Sequence, residues 1–206
     1  MATTPFTISE CLAFGWRTFK SRPWFFAGTI VVYAIAQIII AGIQESLGFP
    51  GFLLSIIIST LFYIGFVTLY LKAHDAPATV NLNSLWNPKP FWNYLGVSIL
   101  VGLIVIVGLI LLIVPGIILG IMFSLAGYLT IEKGLNPIAA MKESARLTRG
   151  HRVKLFLLGL SIVGLTILAM IPLFLGLFIM APIAMLAGIH AYRALLNAPT
   201  VSPAAS

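Results

Sequence analysis

All twelve cationic side chains of this 206-residue chain fall outside its apolar segments, and they fall only on alternate connections. Six apolar segments lie between residues 23 and 193. Arg17, Lys20 and Arg22 precede the first segment. Lys72 and Lys89 follow the second. Lys133, Lys142, Arg146, Arg149, Arg152 and Lys154 follow the fourth, and Arg193 follows the last. The other three connections carry a single charge, Glu45. Basic loops stay on the cytoplasmic side of a membrane. The pattern therefore predicts six spans, with both termini and the 73–90 and 132–154 connections cytoplasmic.

Composition removes the soluble alternative. Hydrophobic residues make up 60% of the chain and charged residues 8%, against about 25% charged in ordinary soluble domains. Mean hydropathy is +1.09. The net charge of +7 sits beside spans as a topology signal, so nucleic acid is not an expected partner. Membrane lipids are, and anionic ones above all. The lone cysteine, Cys11, cannot form an intramolecular disulfide and reads as a small apolar residue on a surface helix.

The first two segments run from about residue 23 to 43 and from 51 to 71. About 20 residues at 1.5 Å rise cross a 30 Å hydrocarbon core. Between them, Gly48 and Pro50 read as a stop and a restart. Residues 94–131 hold 38 residues with no charge, about 57 Å as one helix. Val114-Pro115-Gly116 is expected to break that run into a tight hairpin. Residues 155–192 read the same way, with the turn at Ile171-Pro172; the alternative there is a kinked helix lying partly in the interface. Thr7-Ile8-Ser9-Glu10 has the capping-box pattern. It opens a helix with Ile8, Cys11, Leu12, Gly15, Trp16 and Phe19 on one side. Asn136-Pro137 opens another, with Ile138, Met141, Ala145 and Thr148 as its apolar stripe and Lys142, Arg146 and Arg149 as its basic one. Both read as amphipathic helices in the interface.

The expected fold is thus an all-α integral membrane protein. Six transmembrane helices form three hairpins, each preceded by a cytoplasmic interfacial helix. One membrane domain covers residues 1–196, with internal repeats at about 7–72, 80–132 and 136–193. Residues 197–206 form a disordered tail.

No Asp, Glu, Lys or Arg lies inside a span, which argues against an ion-coupled transporter. The five acids and three histidines show no metal-binding spacing, and no serine or cysteine is paired with a base at matching depth. No catalytic residue, metal or cofactor is expected. His74-Asp75 reads as the polar start of a loop. Gln37, Tyr63 and Tyr128 are the notable polar groups within spans. Gly116, Gly120 and Ser124, and Ala184 with Gly188, place small residues where helices pack closely; that packing is expected within the chain, and a homo-oligomer is the other use of such faces. Trp16, Trp24, Trp86 and Trp92 mark the cytoplasmic boundary.

Gly15-Trp16-Arg17-Thr18-Phe19-Lys20 before Arg22-Pro23-Trp24, the stretch from Leu111 to Ile118, and the run from Ala140 to Gly150 resemble the prokaryotic YciC-like membrane proteins. These are grouped with the membrane domain of glycerophosphodiester phosphodiesterases. The resemblance implies a multi-pass protein of the cytoplasmic (inner) membrane. It implies no phosphodiesterase, because that reaction needs a soluble barrel with metal-binding carboxylates. The expected function is non-catalytic, through assembly or through anionic-lipid contact by Lys142, Arg146, Arg149, Arg152 and Lys154 at the cytoplasmic leaflet. The alternative is a transporter or channel for an uncharged solute or lipid.

Overall fold

The computed structural model describes residues 5–78, 80–170 and 175–198. Among them the chain is helical and has no strand. The α-helices are α1 (Ile8–Ser21), α2 (Pro23–Asp75), α3 (Phe91–Leu111), α4 (Ile113–Phe123), α5 (Ala126–Lys133), α6 (Pro137–Thr148), α7 (Arg152–Met170) and α8 (Leu175–Asn197). A short 3-10 turn spans Leu82–Leu85. Five helical stretches are long and apolar enough to cross a membrane: Pro23–Asp75, Phe91–Leu111, Ile113–Lys133, Arg152–Met170 and Gly176–Asn197. Their outward faces are apolar; Ile110, Leu111 and Ile113 are each more than two-thirds exposed. Water would not tolerate that surface, whereas lipid does.

Helix α1 begins on the expected capping box. The Glu10 N–H donates to the Thr7 hydroxyl at 3.2 Å, and the Thr7 N–H donates to the Glu10 carboxylate at 2.8 Å. Its buried face is Cys11, Gly15, Thr18 and Phe19. The face expected from sequence also held Trp16, but that ring is 43% exposed, with the Lys20 ammonium 4.9 Å from its centre. Burial pushes the Cys11 thiol up to about 11, with Glu10 adding to the shift, so it is an inert packing group.

Helix α2 would be about 80 Å long if straight. It is not straight: Gly48 has φ 58° and ψ −130°, which a residue with a side chain rarely adopts. The chain reverses there. Thr29 and Tyr70 share a 2.9 Å hydrogen bond, Tyr33 packs on Phe66 at 5.0 Å, and the Ser55 hydroxyl donates to the Gln44 amide oxygen at 3.5 Å. The residue numbers of each pair sum to 99, as two antiparallel arms in one register require.

The next reversal falls earlier than expected. Leu112 is extended, with φ −163° and ψ 142°, and α4 starts at Ile113. Pro115 is then the third residue of α4, where a missing N–H costs nothing because the first turn has no intrahelical acceptor. Gly116 lies where α3 and α4 come closest; a Cβ on it would stand 2.7 Å from the Leu109 nitrogen. Gly120 is not at such a crossing, since a Cβ there would meet only a Val105 methyl at 4.0 Å. The fourth apolar segment is also not one helix. Ser124 and Leu125 separate α4 from α5.

Helices α7 and α8 adjoin at their near ends, where the Ala169 carbonyl occupies the place a Gly176 side chain would take. The expected turn at Ile171-Pro172 lies outside the described residues. The helix α8 runs to Asn197, one residue into the expected tail; most of that tail is also outside the described residues.

Candidate functional site

Arg22 and Arg193 take part in contacts that hold one end of the bundle together. The Arg22 guanidinium donates to the carbonyls of Pro77, Ala78 and Val80 at 3.3, 3.3 and 2.9 Å and sits 4.4 Å from the Phe25 ring centre. It pins the loop after α2 beside the start of that helix. Trp24, Trp86 and Trp92 stand around this end, each at least three-quarters exposed.

A polar chain that sequence reasoning did not assemble ties four helices there. His74 Nδ1 lies 3.0 Å from Asp75 Oδ1, and His74 Nε2 lies 3.1 Å from His190 Nδ1. Arg193 donates to Asp75 at 2.7 Å and forms an ion pair with Glu132. The Tyr192 hydroxyl donates to Glu132 at 2.6 Å. The Phe14 ring stacks on His190 at 4.4 Å and on His74 at 4.5 Å. The expectation that His74-Asp75 is only a polar loop start is corrected: both lie in the last turn of α2, bridged to α8. No sequence spacing signalled this, because the partners are 116 and 118 residues apart. Among the described residues, no group of three metal-ligating side chains converges. The chain of contacts orders α1, α2, α5 and α8.

The helix α6 is built into the same end. Asn136 caps it by accepting the Ala139 N–H at 2.9 Å. Its buried face is Ala140, Ser144, Leu147 and Thr148, which is rotated from the expected stripe. Ile138 points outward and is 62% exposed. The reason is the break between α4 and α5. The Ser144 hydroxyl donates to the Met122 carbonyl at 2.8 Å and accepts the Leu125 N–H at 3.2 Å. Thr148 donates to the Met122 and Ser144 carbonyls. Unpaired backbone groups away from water cost more than a misplaced isoleucine.

The outward face of α6 carries Ile138 and Lys142, at i and i+4; Arg149, expected on the same helix, is instead the extended residue just past its end and is exposed. Arg146 differs from the expected free cation. It clasps Glu143 through two bonds of 2.8 and 2.6 Å. That pairing holds the Glu143 carboxyl below its usual range and raises Arg146. Beyond α6, Arg149, Gly150, Arg152 and Val153 line an open hollow of about 410 Å³. The Arg152 Nε is shut from solvent with no partner among the described residues. His151, next to it, titrates below its ordinary value through burial and the nearby Lys154, so it is neutral at pH 7. Lys154 is half-buried.

Of the intramembrane polar groups, Tyr63 and Tyr128 share Tyr94 as a neighbour. Tyr63 stacks on Tyr94 at 5.5 Å, and Tyr128 tilts against Tyr192 at 5.4 Å. The Gln37 side chain is half-buried. Gly120, Ser124, Tyr128 and Gly188 line one cavity of about 440 Å³ between α4–α5, α7 and α8. Ala184 is half-buried on α8.

A family described as "Protein of unknown function (DUF975)" matches residues 100–198. The match takes in the second half of α3, the whole α4–α6 unit and both helices that follow. It thus covers the cavity, the basic face and Arg193. No curated protein matches this chain, and no solved structure does.

Proposed function

We propose that this chain is a multi-pass membrane protein that contacts anionic lipid headgroups through the cytoplasmic face of α6. The single observation that carries this is that Ile138 and Lys142 share the outward face of α6 and exposed Arg149 follows its end, an apolar side chain beside two cations that have no ion-pair partner among the described residues. A helix that rests on a membrane surface has this combination. Each cation near an anionic leaflet contributes about 1 kcal/mol, fading within a Debye length.

The break at Gly48 divides Pro23–Asp75 into two crossings, which makes six spans. The α2 pair, α3 with α4–α5, and α7 with α8 are then the three hairpins, and α1 and α6 the interfacial helices before the first and third. Positive-inside placement puts both termini in the cytoplasm. The YciC-like resemblance adds the prokaryotic inner membrane. The function on this reading is docking and assembly at the membrane, without chemistry on a substrate.

The test is a spin label at Ile138→Cys on a Cys11→Ser background, with the protein in lipid nanodiscs. In anionic lipid the label should be more accessible to oxygen than to a water-soluble relaxant, and in neutral lipid the preference should fall. Lys142→Gln with Arg149→Gln should reproduce the neutral-lipid value in anionic lipid. Equal immersion of the label in both lipids would overturn the proposal.

A further inference from the structure

The cavity between α4–α5 and α7 and the basic hollow at the start of α7 lie on one line. Arg152, Phe156, Gly159 and Val163 stand at i, i+4, i+7 and i+11, one face of α7. The last three line the cavity of about 440 Å³, and Arg152 lines the hollow of about 410 Å³. The step from Arg152 to Phe156 is about 6 Å along the helix axis. We infer that the two are one site, which holds a single anionic phospholipid with its phosphate between Arg149 and Arg152 and an acyl chain in the cavity. This rests on the headgroup contact proposed above and narrows it to one lipid at one place.

The occupant follows from charge and polarity together. Among the described residues no carboxylate lines the basic hollow, and guanidinium forks match phosphate oxygens. A buried Arg152 Nε without an acceptor is the kind of donor that a bound phosphate oxygen would satisfy. The cavity is lined by aliphatic and glycine positions, with Ser124 and Tyr128 as its polar side chains. The Ser124 hydroxyl already donates to the Ile121 carbonyl at 2.8 Å. Phe156, Leu160 and Val163 on its rim are 41%, 56% and 54% exposed, so the cavity opens toward the hydrocarbon. Free phosphate would leave the apolar part unfilled. A zwitterionic lipid offers the same phosphate but brings its own cation beside two guanidiniums, so it adds no net counter-charge, whereas an anionic lipid does. The cavity alone lies within the range of about 300–1,000 Å³ typical of small-molecule sites.

The experiment is native mass spectrometry of the full chain in detergent, with equal amounts of palmitoyl-oleoyl phosphatidylglycerol and phosphatidylcholine. One phosphatidylglycerol should be retained at collision energies that strip phosphatidylcholine. A Cβ at Gly159 would meet nothing within 4 Å, so Gly159→Leu places its side chain in the cavity without disturbing the backbone. It should lower retention of phosphatidylglycerol at least ten-fold. Arg149→Gln with Arg152→Gln, both outside the packed core, should equalise the two lipids and serves as the second variant. Unchanged retention in Gly159→Leu, equal retention of both lipids by the wild type, or full displacement by millimolar glycerol 3-phosphate would each overturn the site. Gly159→Leu leaves the α6 surface intact, so the label at position 138 should still prefer anionic lipid. Loss of the wild-type adduct with that preference kept overturns this site alone. A retained adduct with no preference at position 138 overturns only the broader α6 contact.

Discussion

The Ser144 hydroxyl donates to the Met122 carbonyl at 2.8 Å, joining α6 to the last turn of α4, 22 residues earlier. The same oxygen accepts the Leu125 N–H. One side chain therefore satisfies both sides of the break between α4 and α5. Ser144→Ala leaves the buried Leu125 N–H without its acceptor, at a cost of about 1–3 kcal/mol, while the Met122 carbonyl keeps the Thr148 hydroxyl as its donor. The melting temperature in detergent should drop, and amides of α5 should exchange faster. Wild-type melting would show that water replaces the hydroxyl.

Gly116 and Gly120 are one helical turn apart, but they should respond in opposite ways to the same change. Gly116→Leu forces α3 and α4 apart, since its Cβ already meets the Leu109 backbone at 2.7 Å; overpacking of this kind costs about 1–3 kcal/mol or more. Gly120→Leu enters the open cavity and should melt within a few degrees of wild type. The paired thermal melts check this, and a larger loss for Gly120→Leu contradicts the packing described.

Removing Arg193 should loosen the end of the bundle. Arg193→Met leaves Glu132 and Asp75 without their shared cation; breaking a partly buried pair costs less than the 3–5 kcal/mol seen for full burial. A drop of about 1–2 kcal/mol is the expectation, discounted for the 54% exposure of Asp75. Glu132→Gln, which keeps an acceptor for Tyr192, should cost less. Hydrogen exchange in α1 reports the coupling through Phe14 and His190, and unchanged exchange there in Arg193→Met would refute it.

The α1 cap should weaken in acid. The Thr7 hydrogen bonds hold the Glu10 carboxyl below its ordinary value. A depressed folded value means the contribution is present above the unfolded value and is lost as pH falls through the folded one. Amides of residues 8–11 should lose protection as pH falls through the lowered Glu10 value, beneath the ordinary glutamate range, after correction for intrinsic exchange. Glu10→Gln should remove most of that pH dependence, and an identical profile in the variant would exclude Glu10 as its source.

Orientation is open to labelling from outside. Glu45→Cys and Lys142→Cys, each on a Cys11→Ser background, place thiols at exposed positions on opposite ends. An impermeant maleimide added to intact cells should modify position 45 and spare position 142. The reverse pattern inverts the proposed topology.

The break at Gly48 and the cap at Thr7 were legible in the chain. Each depends on residues close in sequence: a glycine tolerating positive φ, a glutamate three residues after a threonine. The shift of the second reversal from Val114-Pro115-Gly116 to Leu112 was not legible, because a proline early in a helix looks the same locally as one that ends it. The buried face of α6 was likewise decided by distant atoms. Hydrophobicity placed Ile138 inward, but the broken backbone at Met122 and Leu125 required hydroxyls, and Ser144 and Thr148 were turned toward it. The contacts linking His74, Asp75, Glu132, His190 and Arg193 had no local signal, since they exist only once α2, α5 and α8 pack. The same packing turned Gly120, Ser124 and Gly188 from expected crossing points into the lining of a cavity. Local rules determined where helices start, reverse and meet the membrane surface. Which face each helix buried was left to the tertiary structure, because unsatisfied polar groups and close backbone contacts act across whole elements.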